Sequence, residues 1–209
     1  MVRIDIAPGV VLWREWFDRA GQKDLWDAVK AGVAKAPFYR PVMPKSGAPF
    51  SVEETNFGAL GWISDREGYR YGPTHPVTYE DWPAIPPLLL QLWKEVADYG
   101  AAPECCLVNL YRAGAKMGLH QDRDEAATEA PVLSVSLGDS AVFRIGGTAR
   151  KAKTQTVTLA SGDVLRFGGV ARLAFHGIDR VLSGSSGLIE SGGRINLTLR
   201  RVSPVGRCA

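Results

Sequence analysis

The stretch RINLTLR, Arg194 to Arg200, alternates polar or charged residues with isoleucine and leucine along its whole length. Successive side chains of a strand point to opposite faces, so Arg194, Asn196, Thr198 and Arg200 share one face and Ile195, Leu197 and Leu199 the other. The apolar set belongs to a core. The polar set has two readings. One is a solvated sheet surface; the other is the inner wall of a jelly roll, where two arginines require anionic partners because an unpaired buried charge is costly. The arginines stand roughly 20 Å apart at about 3.3 Å per residue. Leaning inward, two such long side chains span a small diacid, and the planar guanidinium suits carboxylates better than an ammonium does.

Upstream of this strand, from Cys105 onward, short apolar runs follow one another: CCLVNLYR, KMGLHQD, VLSVSLG, AVFRIGG, TQTVTLA, GDVLRFGG and RLAFHGI, separated by Gly, Asp and Ser turns. Strands at this spacing predict a sandwich or jelly roll with a pocket between its sheets. The earlier part differs. VVLWREW, residues 10–16, reads as a strand, and 24–35 as a helix with Leu25, Val29 and Val33 on one face. A second helix is predicted over 86–99, with Leu89, Leu92, Trp93 and Val96 inward and Gly100 as its left-handed C′ residue. Residues 37–83, crowded with Pro, Gly and aromatics, predict hairpins and loops. The expected architecture is α+β: one domain over 1–209, with helices and a loop-rich arm over about 1–100 and the β core over about 104–201. SGSSGLIESGG, Ser183 to Gly193, reads as a flexible loop before the last strand.

With 209 residues, about 45 % apolar and 22 % charged, the chain is long enough to bury a real core. No apolar run suggests a membrane span or signal peptide, so a cytoplasmic location is expected. The three cysteines, Cys105, Cys106 and Cys208, are not spaced as a disulfide framework or a CxxC metal site, and one of the adjacent pair is expected in a buried strand. A net charge of +3 is compatible with a polyanion partner without requiring one.

Only three histidines occur: His75, His120 and His176. In GLHQDRDE, Gly118 to Glu125, His120 and Asp122 are two apart and reach one point from a single strand end. His176, in a second expected strand, is placed to add a third ligand. Two imidazoles and one carboxylate with open positions form the facial set used by non-haem Fe(II) oxygenases. An isolated HxD is more often solvated than metal-bound, so the pair gains weight only in company.

That company carries a resemblance. NLYRAGAKMGLHQDRDE, then LAFHGI, then RINLTLR, with NFGALGWISDREGYRYGP and DWPAIP upstream, is similar to the AlkB family of Fe(II)- and 2-oxoglutarate-dependent dioxygenases, closest to its bacterial DNA-repair members. The resemblance spans nearly the whole chain. It implies a double-stranded β-helix (jelly-roll) core with a nucleotide-recognition arm, and makes His120, Asp122 and His176 the iron ligands. Asn109, Tyr111, Arg194, Asn196 and Arg200 match 2-oxoglutarate-binding positions, with Arg194 and Tyr111 at the distal carboxylate and Arg200 near the keto-acid end. Trp62 matches an aromatic that stacks on the damaged base opposite His120, and Asp124 a carboxylate that recognises its exocyclic amine. Tyr69, Tyr71 and Arg150 match substrate-contacting positions. These types suit the task physically: flipped bases are held by stacking and edge hydrogen bonds, and a base methylated on a ring nitrogen is cationic.

The activity so implied is oxidative demethylation of 1-methyladenine and 3-methylcytosine in DNA, with single strands preferred, by a monomer that consumes O2 and 2-oxoglutarate and releases succinate, CO2 and formaldehyde. Methylated RNA, a protein or a small molecule remain alternative substrates for the same cofactor chemistry. A non-catalytic nucleic-acid-binding β domain is a further alternative. RPVMPKSGAPFSVEE, residues 40–54, and the loop before Arg194 depart in detail from the bacterial members.

Overall fold

The computed structural model describes residues 1–205; Cys208 lies outside the described residues. Strands β1 (Val2–Ala7) and β2 (Val10–Arg14) precede helix α1 (Arg19–Val33). Strands β3 (Glu53–Gly58), β4 (Gly61–Asp65) and β5 (Gly68–Gly72) then lead to helix α2 (Pro87–Val96). The remainder is β: β6 (Cys105–Tyr111), β7 (Met117–His120), β8 (Val132–Gly138), β9 (Ser140–Ile145), β10 (Gln155–Leu159), β11 (Val164–Phe167), β12 (His176–Leu182) and β13 (Arg194–Arg200). All pairings between these strands are antiparallel.

A seven-stranded sheet runs β1-β2-β11-β8-β13-β6-β3 and a four-stranded sheet β10-β9-β12-β7, with β4-β5 as a separate hairpin. The two larger sheets form the jelly roll. Strand β13 sits between β8 and β6 in the larger sheet, and all seven of its residues are buried. This decides between the two readings of its polar face: it lines an interior. On the opposite face Ile195, Leu197 and Leu199 pack in one cluster with Leu25 and Val29 of α1 and Leu89, Leu92 and Trp93 of α2. The helices therefore roof the outer side of the sheet, which leaves the inner side free to build a cavity. A second cluster, with Leu12, Phe143, Ile145, Leu165, Phe167 and Ile178, fills one end of the space between the sheets.

Several expectations shift. Helix α1 starts earlier than the apolar spacing implies, because the Asp18 carboxylate caps it by accepting from the Gly21 N–H at 2.9 Å. Helix α2 ends sooner: Asp98, at φ 53°, takes the left-handed position that the sequence suggested for Gly100. Strand β1 was not singled out although Val2, Ile4 and Ile6 alternate with Arg3 and Asp5; both faces of the strand are mostly exposed. Both Cys105 and Cys106 are buried, rather than one. Residues 183–193 are tied down: Asp139 accepts from the Ser186 and Gly193 N–H groups, and Ile189 enters the core. Among the described residues no helix is long and apolar enough to cross a membrane.

Candidate metal and co-substrate site

Strands β7 and β12 pair with His120 directly opposite His176. Close approach depends on Gly177, where a Cβ would meet the Met117 and Gly118 carbonyl oxygens at 2.5 and 2.9 Å. The strand bounds differ from the expected KMGLHQD and RLAFHGI: β7 stops at His120 and β12 begins only at His176, so Asp122 and Asp124 lie in the segment after β7 rather than within it. The chain nevertheless brings the three residues together. One ligand atom from each of His120, Asp122 and His176 lies within 4.8 Å of the others. His120 Nε2 is 3.6 Å and His176 Nε2 3.8 Å from Asp122 Oδ1.

Second interactions fix the chemistry of these atoms. His120 Nδ1 meets the Gly118 carbonyl, and His176 Nδ1 the Ala174 carbonyl, each at 2.9 Å. A carbonyl only accepts, so each Nδ1 carries a proton, and in the neutral tautomer this selects each Nε2 presents a lone pair toward Asp122. Burial pushes His176 down to about 4, which keeps it neutral and ready to ligate. Burial alone would raise Asp122, but the Arg200 guanidinium, followed by the two histidines, holds it well below the usual carboxylate range. Arg200 donates from Nη2 and Nε to Asp122 Oδ2 at 2.9 and 3.1 Å, leaving Oδ1 for a metal. Two imidazoles and an ionised carboxylate, with no further protein donor among the described residues, suit Fe(II) with open positions.

A cavity of about 740 Å³ opens from this cluster between the sheets, a size that takes a co-substrate and a base together. Its floor is the inner face of β6 and β13, including Asn109, Tyr111, Asn196 and Arg200. Arg194 is fully buried beside it, stacked 5.2 Å over the Tyr111 ring, with Nη2 donating to Ser136 Oγ at 3.0 Å. Its Nε and Nη1 have no hydrogen-bond partner among the described residues. A fully buried guanidinium with orphaned donors beside a cavity favours an anion, and the distal carboxylate of 2-oxoglutarate fits that preference. Asn196 is held by Ser134 Oγ at 2.7 Å and the Val135 carbonyl at 3.1 Å.

The arm supplies the opposite wall. Asn56 clamps the Trp62 backbone, accepting from its N–H at 3.0 Å and donating to its carbonyl at 3.1 Å. The Trp62 indole N–H then donates to Asp124 Oδ2 at 2.9 Å, and Tyr69 stacks on the indole at 5.5 Å. Trp62, Tyr69, Asp124 and Arg150 all line the cavity. Tyr71 does not: its hydroxyl turns beneath the site to donate to Glu125 and meet Arg200. Glu125 also forms a buried ion pair with Arg172 at 2.9 Å, and Arg172 donates to the Asp122 carbonyl at 2.6 Å. Asn56, Glu125 and Arg172 were not singled out from the sequence. Only Glu125, directly after Asp124, carried even a positional signal.

The comparisons agree with this geometry. The model described as "2OG-Fe(II) oxygenase superfamily" matches residues 9–200. The chain is 56 % identical over 200 residues to an alpha-ketoglutarate-dependent dioxygenase AlkB homolog of Caulobacter vibrioides, covering 95 % of this chain and 90 % of that one. It is 32 % identical over 226 residues to an Arabidopsis thaliana protein named DNA N(6)-methyladenine demethylase ALKBH1C, covering 94 % of this chain and 49 % of the relative. The solved structure of OsALKBH1 superposes with a TM-score of 0.83 at 31 % identity, over 96 % of this chain and 100 % of that one. With its His120-Asp122-His176 metal site, the chain belongs to the 2OG-Fe(II) oxygenases and, within them, is an Fe(II)/2-oxoglutarate-dependent dioxygenase of the AlkB family.

Proposed function

We propose that this dioxygenase demethylates N-alkylated bases such as 1-methyladenine and 3-methylcytosine in DNA, with single strands preferred, as a direct reversal of damage. The carrying observation is the pairing of Trp62 with Asp124 on the cavity wall, two residues past the metal ligand Asp122. An indole face offers stacking worth about 1–3 kcal/mol per base, and a carboxylate beside it accepts from an exocyclic amine and favours a cationic ring. The name of the Arabidopsis relative points to a methylated base as well.

The residues divide the work. Arg194 and Tyr111 bind the distal carboxylate of 2-oxoglutarate, Asn109 and Asn196 contact it along the sheet floor, and Arg200 steadies the keto-acid end while anchoring Asp122. Trp62 and His120 sandwich the flipped base, Asp124 reads its amine, and Tyr69 and Arg150 contact the flanking strand. Tyr71 supports this wall from behind through Glu125. Bound at the triad, Fe(II) with 2-oxoglutarate and O2 supplies the oxidation of the N-methyl group, giving succinate, CO2, formaldehyde and the restored base. The protein contributes orientation and a water-poor cavity. Single strands suit this site because extrusion costs least where no partner base is lost.

The test is formaldehyde release from 1-methyladenine in single-stranded DNA, set against the same base in RNA and against a methylated peptide. The DNA strand is expected to turn over fastest. Turnover confined to the peptide would refute the proposal.

A further inference from the structure

Two buried side-chain acceptors in the cavity lining have no hydrogen-bond partner among the described residues: Glu54 Oε2 and Asn109 Oδ1. They are cross-strand neighbours. Glu54 on β3 is directly opposite Asn109 on β6, Asn109 is opposite Asn196 on β13, and Asn196 is opposite Ser136 on β8. Directly opposed residues of antiparallel strands project to the same side with Cβ atoms about 4.5–5.5 Å apart. Glu54 therefore extends the row that floors the cavity, and it lines that cavity with Asn109 and Asn196. It is only 1 % exposed, and no cation within 4.0 Å pairs with it among the described residues, whereas its neighbour Glu53 pairs with Arg40. Its backbone is bonded to Tyr39 in both directions, so the side chain does not escape by local fraying.

2-Oxoglutarate carries acceptors alone, so it satisfies neither orphan. A neutral carboxyl satisfies both, because it has one O–H donor and one acceptor. We propose that Glu54 is a positioning residue for the co-substrate: its carboxyl O–H donates to Asn109 Oδ1 and thereby turns the Asn109 N–H2 donors toward the 2-oxoglutarate anion. Burial supports this protonation state by pushing Glu54 up to about 8, with Arg200 the opposing influence. The reverse arrangement, Asn109 donating to an ionised Glu54, aims an amide oxygen and a like charge at the anion. The two arrangements differ in their response to pH.

Other groups around Glu54 do not mimic its titration. Burial pushes Tyr111 and Cys105 each up to about 12 and Tyr39 higher still, and Arg200 remains charged. The histidines and Asp124 across the cavity are common to wild type and Glu54→Gln, so the difference between those two proteins isolates Glu54. The glutamine keeps an N–H donor for Asn109 but has no proton to lose.

The inference rests on the assignment of Asn109 to the co-substrate and not on any nucleic-acid substrate. The experiment is calorimetric titration of 2-oxoglutarate into the Mn(II)-loaded full chain between pH 7 and 9, without substrate or turnover. Wild type is expected to lose about tenfold in affinity across that range, the equivalent of one hydrogen bond to a charged group, while Glu54→Gln stays within about threefold of its pH 7 value. Glu54→Leu is expected to be about tenfold weaker throughout. Parallel curves for wild type and Glu54→Gln, or wild-type affinity that rises with pH, would overturn the proposal. Absence of measurable binding by wild type would overturn the co-substrate assignment itself.

A melting series gives an independent check. The Glu54 proton is retained by the folded chain up to about 8 but leaves at the ordinary 4.5 on unfolding. Its stabilising contribution is therefore fully present below pH 4.5 and is lost as pH rises toward 8. The melting temperature of wild type should fall relative to Glu54→Gln across that window; no relative change would contradict a neutral Glu54.

Discussion

Arg194 and Arg200 occupy one face of one strand, at 0 % and 6 % exposure, yet their surroundings are opposite. Arg200 is saturated: Asp122 takes two of its donors, Glu125 Oε1 lies 3.6 Å away and the Tyr71 hydroxyl is at 3.3 Å. Arg194 has an aromatic ring, one serine and two donors without partners. A buried cation with its anion in place is held by the protein itself; one without it marks where an anion binds. Equal burial thus conceals different roles, and the partner set separates them.

Removing the anion from the saturated arginine should have the largest effect. Asp122→Ala deletes a metal ligand and leaves buried Arg200 with only Glu125 Oε1, 3.6 Å away and shared with Arg172, as its anion, so activity should fall at least about a thousandfold and stability by up to about 3 kcal/mol. Metal content by mass spectrometry and a thermal melt check both parts. Retained metal would mean that Asp122 is only an ion-pair partner.

The unsaturated arginine should answer differently. Arg194→Met removes a charge that has no counter-ion in the free protein, so the fold should be as stable as wild type or more so. Affinity for 2-oxoglutarate should drop about a hundredfold through loss of a charged, bidentate contact. A melt beside a co-substrate titration decides it: destabilisation with unchanged affinity would erase the contrast between the two arginines.

A smaller change concerns the far wall. Trp62→Ala should lower kcat/KM on a methylated strand by about 10- to 100-fold, as expected for one lost stack, while succinate formation without a nucleic-acid substrate persists. Equal loss of both would place Trp62 in support of the metal site.

The contrast between the arginines was only half legible in the sequence. Alternation in RINLTLR placed both on one face, and the runs after Cys105 marked the strands from β6 to β13. The pairing of Asp122 with Arg200 joins residues 78 positions apart and leaves no local pattern. Glu54 shows the same limit: two adjacent glutamates look alike in sequence, and only the register of β3 against β6 sends one to Arg40 and the other into the cavity. The cap at Asp18 and the left-handed Asp98 were missed because apolar periodicity reports the buried face of a helix and not its ends.

The most direct measurement follows succinate and restored base together in one reaction on single-stranded DNA carrying 1-methyladenine, with His176→Ala as control. Unmodified adenine and succinate accumulating in step, with neither formed by His176→Ala, is the predicted result. Succinate formed without any restored base would contradict base demethylation by this site.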